Sequence, residues 1–143
     1  MKNQNRLKSI KYFIKPKNIF LFIKALFSLL IIKALLAWFS LPQILKVLEP
    51  KRKINPDNQE VDSIIKFTNF IIFHLFRSPN PCLLRSLFLF RYLKMMGKDI
   101  KIVLGVKPEG GKLKGHAWLI VDGNPFPDLN NPAEEYGETL IYP

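Results

Sequence analysis

The chain has 143 residues, 48% of them hydrophobic, a single cysteine and a formal net charge of +11. This composition excludes a disordered tail and an internally disulfide-stapled scaffold, and the length suits one domain with a modest core. The charge is lopsided: residues 1–53 hold 12 Lys/Arg and one acid, Glu49, whereas residues 54–143 hold 10 of each sign.

Residues 1–17 are polar and basic, with Pro16 as a breaker. From Asn18, a candidate cap, an apolar helix is expected to run to Leu41 and to end or kink at Pro42. These 24 residues are long enough to cross a bilayer. Lys24 and Lys33 oppose a span, each costing roughly 2.5–3.5 kcal/mol near the bilayer centre. A helical hairpin packed on the domain or a partner, an interfacial membrane helix and a span all remain open. A cleaved signal peptide is not expected, because the lysines interrupt the apolar run and no small-residue cleavage site follows. Nucleic acid is not an expected partner, since the lysines alternate with aliphatic runs and no recognition motif is present.

A short helix from Gln43 to Leu48 leads to Lys51-Arg52-Lys53. The polar stretch 54–60 is a linker, dividing a basic helical segment (1–53) from a second domain (54–143). Asp57 or Asn58 can cap a helix over Gln59 to Phe76, whose apolar residues recur with helical period. Ser78-Pro79-Asn80-Pro81 interrupts it. The next helix starts at Pro81, a favoured first position, and ends at Gly97, a left-handed cap.

The period then changes to two. Ile100, Ile102, Leu104 and Val106 alternate as in a strand, and Lys107 to Gly111 turns. Lys112 to Val121 is a second strand, Asp122-Gly123 a hairpin, and Asn124 to Asp128 a return. Leu140-Ile141-Tyr142 can add a short edge strand. Helices followed by an antiparallel sheet make an α+β fold.

Cys82, His116 and Asp128 come in the order that a thiol enzyme needs, the first on a helix start and the others on a hairpin. A thiol attacks only as thiolate, and the start of a helix favours negative charge. An imidazole takes the thiol proton and returns it to the leaving group. The alternative for Cys82 is a small buried hydrophobe, and for His116 a structural strand residue. His74, beside Phe73 and Phe76, is structural or at the surface.

The acid follows from hairpin geometry. Asp122, six residues from His116, is about 20 Å away along an extended strand and cannot orient it. A two-residue loop at Asp122-Gly123 pairs Ala117 with Asp128. A three-residue loop with Gly123 left-handed instead sets Asp128 opposite His116, with Cβ atoms about 5 Å apart. Asp128 can hold the imidazole in that bulged register; otherwise it is a turn acid. Arg85 and Ser86 lie three and four residues after Cys82 on one helix side, where they can line a cleft or anchor the helix. Trp118 shares the strand face of His116. An oxyanion hole would use the Cys82 N–H.

Pro81-Cys82-Leu83-Leu84-Arg85-Ser86-Leu87, Gly97, Leu104-Gly105-Val106, Gly115-His116-Ala117-Trp118-Leu119 and Val121-Asp122-Gly123 together resemble the lasso-peptide biosynthesis B proteins. More narrowly they resemble the C-terminal protease type, related to the microcin-processing protein. The resemblance is strongest over residues 61–128, and the basic apolar N-terminal segment also looks like the one these proteins carry. It departs at Ile120, where the family usually has Glu.

The resemblance implies a transglutaminase-like fold, close to papain, and a cysteine peptidase that cuts the leader from a ribosomally made precursor. Cys82 carries over as nucleophile, His116 as general base and acid, and Asp128 as the residue that orients His116. Arg85, Ser86 and Trp118 are expected near the substrate. The chemistry calls for no cofactor and no metal. The implied partners are the precursor peptide, a stand-alone leader-binding protein and a lasso cyclase, with a membrane surface as a further candidate. The expected place is the cytoplasm, with residues 18–41 as a membrane-associated element. Acyl transfer to an amine, as in transglutaminases, and a non-catalytic peptide-binding or membrane-associated scaffold are the alternatives.

Overall fold

The computed structural model describes residues 15–126 and 136–143. Among the described residues four α-helices come first: α1 (Pro16–Trp38), α2 (Leu41–Leu48), α3 (Asn58–Phe70) and α4 (Pro81–Met95). Strands β1 (Ile100–Glu109), β2 (Lys112–Val121), β3 (Asn124–Pro125) and β4 (Gly137–Tyr142) follow as one antiparallel sheet in the order β3-β2-β1-β4. The α+β expectation holds, and the C-terminal edge strand is present.

Prolines open three of the helices rather than breaking them. Pro16 sits in the first turn of α1, as Pro42 does in α2 and Pro81 in α4. The missing proline N–H is harmless in a turn whose N–H groups have no intrahelical acceptor. Asn18 is therefore inside α1 and buried, not its cap; its N–H bonds to Lys15 O at 2.9 Å. Gln43 Oε1 accepts from Ser40 N and Oγ at the start of α2. At α3, Asp57 Oδ1 accepts from Glu60 N at 2.7 Å, as a capping residue should.

The helix expected to reach Phe76 stops being α-helical at Phe70. Residues Ile71–Phe76 form a π-turn, closed by Arg77 in the left-handed region (φ 43°). The Ile71 N–H is shared between the carbonyls of Phe67 and Thr68, where the helix changes pitch.

The core is continuous from α1 to the sheet. Leu21, Ala25, Leu29 and Ile32 of α1 pack with Ile64 and Phe67 of α3, Leu87 and Phe90 of α4, and Ile100, Ile102 and Leu119 of the sheet. Phe22 meets Phe67 edge-on with ring centroids 5.6 Å apart. A fully buried side chain such as Phe67 contributes about 2–3 kcal/mol. The Tyr92 hydroxyl donates to Glu60 at 3.5 Å; burial, and then the Glu60 charge, push its pKa up.

Strand alternation gives the sheet two different faces. Ile100, Ile102 and Leu119 point to the helices. Val103 and Trp118, paired across β1 and β2, are buried on the other face. Both hairpin turns are two-residue loops with left-handed residues: Gly110-Gly111 (φ 59° and 76°) and Asp122-Gly123 (φ 50° and 83°). The first is tighter than the five-residue turn expected, so Pro108 is part of β1. It lies beyond the stretch where β4 pairs, and its lack of an N–H leaves no ladder bond unmade there.

Candidate active site

Cys82 is the second residue of α4 and half-buried. Leu84 N–H is the first in α4 to bond back, to Asn80 O at 3.3 Å. The N–H groups of Cys82 and Leu83 therefore lie ahead of the intrahelical ladder, at the positive end of the helix.

One turn later the helix is fastened to the strand of His116. Ser86 Oγ donates to Ala117 O at 3.1 Å, and Ser86 is 2% exposed. The orientation of that carbonyl can be read from the ladder. Leu119 O accepts from Phe126 N on the β3 side, and carbonyls two residues apart in a strand point the same way. Ala117 O thus emerges from the β2 edge just where β3 leaves off. Arg85 lies along the same edge: its guanidinium is 5.9 Å from the centre of the Phe126 ring and its Nε donates to Asn69 Oδ1 at 2.8 Å. The first turns of α4 therefore run beside the β2 edge. Cys82 sits about 6 Å along the helix axis from the residue that grips the main chain next to His116.

His116 is half-buried on the sheet face away from the helical core, within a set of aromatic rings. Its imidazole stacks on Tyr136 at 5.1 Å between centroids and lies 6.1 Å from Trp118. Lys107 Nζ lies over the Tyr136 ring, 4.8 Å from its centre. The residue opposite His116 on β1 is Gly105. A Cβ there would lie 2.9 Å from Trp118 Cη2, Trp118 Cζ3 and Tyr136 Cβ, so the absent side chain is what admits both rings. Sequence reasoning missed Tyr136 and the role of Gly105. The signal for Gly105 was its position inside an alternating strand, which marks a close approach.

The fold places all three residues expected near the substrate. Trp118 is 1% exposed and Ser86 is buried and hydrogen-bonded, so neither offers surface to a substrate; both hold the framework of the site. Arg85 is likewise engaged, with Asn69 and Phe126, as an anchor of the helix.

The bulged hairpin is not the register adopted. Val121 pairs with Asn124 and Ile120 with Pro125, the two-residue alternative. Asp122 tolerates its left-handed backbone because its carboxylate accepts from Asp99 N at 3.1 Å and meets Lys98 Nζ at 3.0 Å. The Lys98 bond and then that of Asp99 hold its pKa below the ordinary carboxylate value. Asp128 lies outside the described residues.

His74 stacks on Phe70 at 4.9 Å and is exposed. Among the described residues no group of three or more His, Cys, Asp or Glu could hold a metal ion.

A family model described as the transglutaminase-like superfamily matches residues 25–140. Comparison with curated proteins and with solved structures gave no match.

Proposed function

The chain belongs to the transglutaminase-like superfamily, and from that premise we propose that it is a cysteine peptidase removing the leader of a ribosomally made, lasso-type precursor peptide. The superfamily includes cysteine peptidases and acyltransferases and is typically enzymatic. The observation that carries the reading is the fastening of the Cys82 helix, through Ser86 and Ala117, to the strand of His116. The lasso assignment itself is supported by the sequence resemblance alone.

In this mechanism Cys82 Sγ gives its proton to His116 and attacks the carbonyl carbon of the leader–core bond. The Cys82 N–H donates to the oxyanion. His116 protonates the departing core amine, leaving the leader as a thioester on Cys82. Water, deprotonated by His116, then hydrolyses the thioester and frees the thiol. Asp128 is the residue that orients His116 in this proposal. Arg85 steadies the helix from behind. A stand-alone leader-binding protein delivers the precursor, and a cyclase consumes the core in the cytoplasm.

The same thioester can pass to an amine instead of water, the acyl-transfer chemistry that the superfamily also includes. Incubating the precursor with the protein and its leader-binding partner, with and without an added primary amine, distinguishes the two by mass. A single leader–core cut with a free leader carboxylate supports the peptidase; amide adducts of the leader support the transferase.

A further inference from the structure

The apolar helix α1 is only half used by the fold. At 100° per residue, its buried residues Leu21, Ala25, Leu29 and Ile32 face one way. On the opposite side Ile19, Phe20, Ile23, Phe27, Leu30, Ile31 and Trp38 are exposed, within an arc of about 120° and over about 28 Å of helix. Phe20 is 68% exposed, Phe27 65% and Trp38 85%. Phe73 and Leu75, in the π-turn just before the Cys82 segment, are also exposed.

The charges identify what covers this face. Lys17 and Lys24 flank one border of the arc and Lys33 the other, 4.9 Å from the Phe76 ring. Lysines at the rim of an apolar stripe, with an aromatic residue near its end, are placed as on a helix lying in a membrane interface. Helix α1 has no acidic residue, and the whole excess of +11 belongs to residues 1–53. A second copy would set this charge against itself. An anionic bilayer would attract it, at about 1 kcal/mol per Lys or Arg near the surface. A span is disfavoured by the fold, because Leu21, Ala25, Leu29 and Ile32 are committed to the domain core.

We propose that the protein docks on the surface of an anionic membrane through the outer face of α1, with the helix in the plane of the interface and its inner face still in the core. This does not depend on the catalytic reading. The test is co-sedimentation of the full chain with phosphatidylcholine vesicles, with and without phosphatidylglycerol, together with the emission of Trp38. The expected result is binding that is roughly tenfold or more tighter with the anionic lipid, weakened by salt, reversed by alkaline carbonate and accompanied by a blue shift. The double variant Phe20→Ser/Phe27→Ser, checked for folding by near-UV circular dichroism, should lose about tenfold or more of the affinity. The proposal is overturned if the folded protein ignores anionic vesicles, binds both lipids equally, resists carbonate as a span would, or binds unchanged in the double variant. A dimer that the double variant separates, with no vesicle binding, would assign the face to a second copy instead.

Discussion

Ser86 and Ala117 join the helix that begins with Cys82 to the strand that carries His116 through one buried hydrogen bond of 3.1 Å. Ser86→Ala removes the donor and leaves the Ala117 carbonyl buried without it. We expect a loss of about 1–2 kcal/mol in urea unfolding. Turnover should fall further than this stability loss accounts for, because the helix start is no longer held to the edge of β2. A variant that is less stable but fully active at low temperature would show that the bond serves the fold alone.

Gly105 makes room for the rings around His116. Gly105→Ala places a Cβ at 2.9 Å from Trp118 and Tyr136 and should destabilise by about 1–3 kcal/mol through overpacking. In a double-mutant cycle, Trp118→Phe should recover only part of that loss, since Tyr136 Cβ is equally close. Additive effects in the cycle would mean that the strand shifts instead of the ring.

Much of this arrangement was legible in the sequence, and the reasons differ by element. Pro81 announced the helix start that sets Cys82 on its first turn, because proline fits there and nowhere deeper. The alternation through Ile100, Ile102, Leu104 and Val106 announced a strand, and Ile100 and Ile102 do face the helices. The hairpin register was not legible, because it depends on the backbone of Asp122. That residue is held left-handed by Lys98 and Asp99, which lie 24 and 23 residues away in the chain. Likewise, nothing local in the sequence says that Tyr136 crosses to stack on His116 or that the last turn of α3 widens after Phe70.

In the proposed mechanism the ring of Tyr136, stacked on His116 at 5.1 Å, positions the imidazole. Tyr136→Phe keeps the ring and should retain near-wild-type turnover. Tyr136→Ala removes the stack and should lower kcat by about tenfold with a smaller change in KM. It should also move the acidic limb of the pH–rate profile, a readout that a purely structural role would leave in place.

The turn of the His116 hairpin gives a pH signature. The Asp122 pKa is depressed in the fold by Lys98 and the Asp99 N–H. Its contribution is therefore complete above the ordinary carboxylate value and is lost as the pH falls through the lower folded one. The unfolding midpoints of wild type and Asp122→Asn should differ at neutral pH and converge in acid. Curves that stay parallel down to acid unfolding would remove this pair from the account.

The most direct test of the thiol mechanism uses the fact that the chain has one cysteine. The precursor is mixed with the protein and its leader-binding partner, quenched in acid and examined by intact mass. The account predicts a transient adduct of the leader, formed with loss of the core peptide and released by hydroxylamine. It further predicts that Cys82→Ala shows no adduct and cleaves about a thousandfold or more slowly. A Cys82→Ala protein that still cuts the precursor at the wild-type rate would contradict the central claim.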